Sequence, residues 1–276
     1  MNTPVNTSAN ATGSLALYEQ IYLLSVQNHN GKPHDYTTLL RQHYAIAGAS
    51  IMEMVSSGFL RLDEDQRCLP ASDAPPQDAT LAAAFERIRK SKKPHNAKYW
   101  VQMIHAHVAP HGKALRNLVE KGVIRLDRGT KWKIFPVKRY RVERPDVKDA
   151  IVHRLEALLQ TETTTAETNH DERARDTILL GLVRSAELTR YVFPGRYAAD
   201  AAKLDHDIAE VLRRKPVPNP TDEALEEEEE KERAMEALEM SLDALETLAY
   251  ALDAVADAVD ASADAGGDGG GGDGSD

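Results

Sequence analysis

Apolar residues recur at helical spacing along most of the first 214 positions, and short alternating stretches interrupt them twice. Ser14 to Gln27 (SLALYEQIYLLSVQ) is the first helical segment, with Ser14 as its N-cap. Asn28 to Pro33 is a turn cluster, and a longer helix is expected over about Tyr36 to Ser57. Its interior Ala45 to Ser50 (AIAGAS) is rich in small residues and admits another element at close range. Gly58 stands where a helix C′ glycine belongs. Phe59 to Asp63 and Cys68 to Ala71 then read as a short hairpin. Asp78 caps a helix to about Lys90, followed by helices over Ala97 to His107 and Gly112 to Lys121, with Pro110 between them and Gly122 closing the second. Val123 to Leu126 and Lys131 to Val137 predict a second hairpin, turning at Asp127-Arg128-Gly129-Thr130. Pro145 opens a helix to about Leu159, and helices near Asp171 to Val192 and Tyr197 to Arg214 follow a Thr/Glu-rich loop.

Beyond this point the pattern changes. Lys215 to Pro220 is a proline-rich spacer. A further helix of about 40 residues is expected from Thr221, with Met235, Leu238, Leu242, Leu245, Leu252 and Val259 on one stripe. Gly266 to Asp276 is Gly/Asp low complexity. The expected organisation is a polar lead-in at 1–13, a helical domain at 14–215, a linker at 216–220, an acidic amphipathic helix at 221–262 and a tail at 263–276. The fold class is mainly α: a compact helical domain with two or more small β-hairpins, plus the acidic helix.

Charge sharpens this division. The formal net charge of −10 conceals two opposite parts, because residues 221–276 hold 19 acidic and two basic residues. That segment carries −17, and residues 1–220 carry +7. The basic part has the sign that suits anionic partners; the acidic part would repel them, or shield the first. No apolar run approaches the roughly 20 residues that span a bilayer. One cysteine, Cys68, excludes an internal disulfide and fits a reducing compartment.

In this order of segments the chain resembles the Golgi phosphoprotein 3 family over about residues 14–214. The motifs that carry the resemblance are LALYEQIYLLSV in the first segment, IMEMVSSGFLRLD (Ile51 to Asp63), Ser72-Asp73-Ala74-Pro75, RNLVEKGVI (Arg116 to Ile124) before the second hairpin, and IFPV (Ile134 to Val137) in its return strand. Where the family usually has TGD, this chain has Pro76-Gln77-Asp78. The resemblance implies a mainly helical domain with a flat basic face, an anion pocket, and an apolar hairpin that enters the membrane. In eukaryotic members the pocket reads phosphatidylinositol 4-phosphate through one tryptophan and three arginines. An ungapped alignment puts those positions at Thr38, Ala47, Val108 and His111, of which only His111 keeps part of the chemistry. Arg41, Lys113 and Arg116 are nearby bases that could substitute, and the replaced positions suit a divergent or prokaryotic relative of the family.

Two candidate surfaces follow from the residues themselves. Around the second hairpin, Lys121, Arg125, Arg128, Lys131, Lys133, Lys138, Arg139, Arg141 and Arg144 fall within 24 residues and surround Trp132, Ile134 and Phe135. Cations at this density attract an anionic surface, and tryptophan favours the headgroup boundary. Strand alternation would put Trp132 and Ile134 on one face and Lys131 and Lys133 on the other. The competing reading is a hairpin whose apolar face covers the core. A second basic run, Arg87 to Lys98, reads better as a solvated helix end than as a binding surface, and nothing supports nucleic-acid binding.

His105, His107 and His111 invite a metal reading. However, His-x-His on a helix points two rings about 200° apart, so no metal and no cofactor is expected. A partly protonated imidazole beside an anion pocket is the favoured reading of His111. Cys68 reads as structural. The chain has no phosphate-cradling glycine loop, no HExxH and no nucleophile elbow, so it does not read as an enzyme.

The expected function is a peripheral membrane protein. It would bind anionic lipid headgroups, with phosphatidylinositol 4-phosphate as the one the resemblance points to, through Arg41, His111, Lys113 and Arg116. Arg128, Lys131, Trp132, Lys133, Ile134 and Phe135 would be its membrane-contacting residues. The expected location is cytoplasmic and peripherally membrane-associated, and at the Golgi only in a eukaryotic cell. The rival reading is a protein-interaction adaptor that docks or self-associates through 221–262 and has no lipid role.

Overall fold

Helix α1 (Leu17–Ser25) is the axis of the domain, and its burial explains the arrangement around it. The computed structural model describes residues 15–37, 39–63, 65–131, 135–160 and 170–213. Within α1 every residue except Tyr22 is buried, including Glu19, Gln20 and Ser25. A helix apolar on all sides has to be enclosed. Here it is packed by α2 (Leu39–Ser56) and by the later α5, α6 and α7. The small residues Ala45, Ala47, Gly48 and Ala49 of α2 are buried, as expected of a segment that other helices approach closely.

Several polar groups drawn into this core are paired across elements. Glu53 of α2 accepts the backbone N–H of Leu17 at 2.7 Å and two guanidinium bonds from Arg175 at 2.7 and 2.9 Å, while Arg175 also donates to the Leu15 carbonyl. Arg154 bridges Asp176 and the Gln20 side chain. Tyr18 joins Asp78, Thr80 and Asn117 through its hydroxyl. Leaving such groups buried and unpaired would cost several kcal/mol each, on the order of 1–3 for neutral ones, so these bonds fix how α1 is seated. The Ser14 cap lies outside the described residues; the helix start is held instead by Glu19, whose carboxylate accepts the Ala16 N–H at 2.9 Å.

The first hairpin forms where alternation placed it, as β1 (Leu60–Leu62) and β2 (Arg67–Pro70), antiparallel. A two-residue strand, β3 (His95–Asn96), adds to its edge after α3 (Ala79–Arg89). Asp78 caps α3 with bonds to the amides of Thr80 and Leu81, and Asn96 caps α4 (Ala97–His107) through the Tyr99 amide. α5 spans Pro110–Glu120, two residues longer at its start than the sequence pattern suggested. Proline occupies its first turn, and Ala109 before it takes φ 49°.

β4 (Ile124–Lys131) and β5 (Phe135–Val142) form a separate two-stranded sheet, followed by α6 (Pro145–Gln160) and α7 (His170–Ser185). The two C-terminal helical stretches each divide. α7 is followed by the short α8 (Thr189–Val192), after Glu187 at φ 56°. Pro194 then opens α9 (Pro194–Ala199), which precedes α10 (Ala201–Arg213). Among the described residues, no helix is long and apolar enough to cross a membrane. The acidic helix expected at 221–262 lies outside the described residues.

Candidate functional site

The basic hairpin differs from its sequence reading in one respect. Asp127-Arg128-Gly129-Thr130 is not the turn. These residues continue β4 in register with β5, pairing Asp127 with Arg139, Arg128 with Lys138, Gly129 with Val137 and Thr130 with Pro136. The chain reverses between Lys131 and Phe135, which face each other across the strands. The physical reason is alternation: Ile124 and Leu126 meet Val142 and Tyr140 on one face in this register, and a one-residue slip would turn them outward. Trp132, Lys133 and Ile134, and the alternation expected of them, lie outside the described residues.

Burial falls from the base of the hairpin toward its far end. Ile124 and Val142 are buried, Leu126 and Tyr140 half-buried, and Arg128 and Lys138 exposed. The opposite face carries Arg125 and Arg141 as a cross-strand pair beside Asp127 and Arg139. Some of the hairpin's cations have internal partners. Lys121 reaches inward to buried Glu19 at 2.6 Å, Arg125 pairs with Asp127 and Glu143, and Arg144 pairs with Asp146. Arg128, Lys138 and Arg139 make no ion pair among the described residues. Like charges directly opposite each other across a ladder disfavour the sheet unless an outside anion lies near.

The four bases expected at the headgroup come from two helices, α2 and α5. Arg41 lies in α2 and pairs with Glu187 at 3.0 Å. Lys113 and Arg116 are neighbours at i,i+3 on α5, and neither makes an ion pair among the described residues. His111 projects about 160° away from Lys113 around the same helix. Of the positions aligned with the eukaryotic pocket, Ala47 and Val108 are buried in the core, and Thr38 lies outside the described residues.

His111 turns instead toward two other imidazoles. Its ring stacks on His43 of α2 with centroids 4.1 Å apart and planes 9° apart, and His105 of α4 stands 6.0 Å from it and 5.8 Å from His43. One ring nitrogen from each comes within 4.8 Å of the others. Burial lowers the pKa of all three, with neighbouring imidazoles adding to it at His43, which falls to about 4. Burial therefore works against the partly protonated form expected of His111. His107 is exposed and points elsewhere, as the His-x-His spacing dictates. The member that sequence reading missed is His43, 62 positions before His105. The available signal was its place one turn before Ala47, on the same side of α2.

The remaining candidates are structural. Burial pushes the Cys68 thiol up to about 12, which makes it unreactive. In the second basic run, Arg89 and Lys90 both pair with Glu86, consistent with a solvated helix end.

No curated protein matches the chain at a significant level. The Golgi phosphoprotein 3 (GPP34) family model matches residues 17–261. That match runs past residue 214, where the motif resemblance ended, and takes in most of the acidic segment. Together with the helical domain and its two small antiparallel sheets, it establishes that this chain belongs to the Golgi phosphoprotein 3 family.

Proposed function

We propose that this protein is a peripheral membrane-binding domain whose contact element is the β4–β5 hairpin, and that it binds without acting as an enzyme. The observation that carries the reading is the hairpin's exposed positive charge. Arg128 and Lys138 face each other across the ladder without a carboxylate partner among the described residues. An anionic lipid surface supplies the missing counter-charge, at about 1 kcal/mol per basic residue close to it. Lys131 and Lys133 add to that attraction, and Trp132, Ile134 and Phe135 insert at the headgroup boundary. Lys113 and Arg116 extend the basic surface on α5. Family membership supports phosphatidylinositol 4-phosphate as the headgroup, with Arg41 and His111 at its edge. Membrane association follows from this, at the Golgi where the cell has one.

Vesicle sedimentation tests the insertion. The full chain should pellet with vesicles containing phosphatidylserine or phosphatidylinositol 4-phosphate and stay in solution with phosphatidylcholine alone. Trp132→Ala with Phe135→Ala should weaken pelleting severalfold with little change in Tm. A large fall in Tm would instead make these side chains part of the core.

One observation favours a second role. The family match includes residues 221–261, so the acidic segment belongs to the matched unit and can serve as a dock for a protein partner or for a second copy. Affinity capture with and without residues 221–276 separates this role from lipid binding.

A further inference from the structure

The three imidazoles that meet between α2, α4 and α5 have a second use in their chemistry. They come from three separate elements, so their meeting is a product of the tertiary fold. His105 lies in the last turn of α4, Ala109 takes the αL conformation after that helix, and Pro110 starts α5 so that His111 returns beside His105. His43 reaches the same point from α2. Two of the ring nitrogens, Nδ1 of His105 and Nδ1 of His111, are buried without a hydrogen-bond partner among the described residues. Buried polar atoms are almost always satisfied, and each left alone carries a desolvation cost. Tyr44 closes one side, its ring 4.7 Å from that of His105.

We propose that His43, His105 and His111 form a binding site for a divalent transition metal of the zinc type, with three imidazole ligands and a fourth position open to water or an added anion. Three-histidine sets are one of the ways proteins hold zinc with a position left open. Tetrahedral coordination at about 2.0–2.1 Å per nitrogen sets ligand atoms roughly 3.3 Å apart. The nitrogens here lie within 4.8 Å of one another, so small side-chain rotations close the site. Histidine ligates a metal through its neutral imidazole, so binding should weaken as pH falls. The absence of a carboxylate from the trio selects zinc, cobalt, nickel or copper over calcium and magnesium, which need oxygen ligands. The site uses none of the hairpin, and His111 is the one residue it shares with the headgroup reading.

The test uses the full chain. Cobalt(II) should bind at one equivalent and give the intense visible absorption of a tetrahedral site, and zinc should displace it. Zinc should also raise Tm. His43→Asn, His105→Asn and His111→Asn should each weaken cobalt binding at least tenfold, no less than the roughly tenfold to hundredfold cost of losing an outer-shell partner. His107→Asn should leave binding unchanged. Far-UV circular dichroism checks that each variant is folded; where one is not, the wild-type stoichiometry and Tm shift still decide. Absence of both the tetrahedral spectrum and the Tm shift in the wild type overturns the proposal. So does equal cobalt binding by the folded single variants, which would assign it to surface histidines.

Discussion

Lys148 crosses from α6 into the core, where its Nζ donates to the Val26 carbonyl at 2.6 Å and lies 3.4 Å from Nε2 of His34. His34 in turn stacks on Tyr191 with centroids 4.6 Å apart. Asp35, next in the chain, pairs with Arg190 of α8. Burial, and then the Lys148 ammonium, lower the pKa of His34 to about 4. The sign of the consequence is fixed. The unfolded chain takes up this proton near its ordinary 6.5 and the folded chain only near 4. His34 therefore opposes folding progressively as pH falls from 6.5 to 4, and contributes no pH dependence above that window. Tm should decline across this interval. His34→Phe, which keeps the stack on Tyr191 and removes the titration, should flatten part of the decline; an unchanged slope would show that His34 is not the group responsible. Little of this was legible in the sequence. A histidine in NHNGKPH looks like a turn residue, and its partners come from positions 114 and 157 residues later.

Elements were read best where local chemistry specifies them. Asp78 caps the helix it precedes, and Gly122 closes α5 at φ 69°. They were read worst where a distant neighbour decides. Asp-x-Gly after an alternating stretch suggested the hairpin turn, yet pairing with β5 carries the strand through it. β3 is too short to alternate, and exists only because β2 offers an edge. The hairpin also leans on a segment far from it in sequence. The Val142 amide donates to the Asn28 carbonyl at 2.9 Å, and Gly31 packs against Tyr140 of β5. A Cβ at Gly31 would stand 2.7 Å from the Tyr140 Cβ and 2.9 Å from its carbonyl oxygen, at φ +60°. Gly31→Ala should thus cost more than about 1 kcal/mol, through strain at positive φ together with the clash. A thermal melt reads this directly, and amide exchange should show the β4–β5 bonds opening first. A neutral effect would mean that the turn does not hold the base of the hairpin.

For the whole molecule, the division between a +7 part and a −17 part becomes a question of competition. Helical class and family were legible in the order of motifs. The candidate site was legible only in outline, because the sequence shows where bases cluster but not which of them the fold neutralises. Lys121 and Arg41 have carboxylate partners from distant segments, whereas Arg128, Lys138 and Arg139 make no ion pair among the described residues. Acidic residues 221–276 would compete with a membrane for those cations. Removing them should increase pelleting with anionic vesicles, most strongly at low salt, where charges interact over a longer range. Equal binding by both chains would end the shielding idea without touching the hairpin.

The membrane role itself is tested most directly by reversing the two exposed cations that face each other on the hairpin. Arg128→Glu with Lys138→Glu removes about 2 kcal/mol of attraction before any repulsion is counted, which is more than tenfold in partitioning. Both side chains are exposed, so Tm should hold. In sedimentation with vesicles containing phosphatidylinositol 4-phosphate or phosphatidylserine, the wild type should pellet and the folded double variant should remain in solution. Equal pelleting of the two would contradict the hairpin's role in binding the membrane.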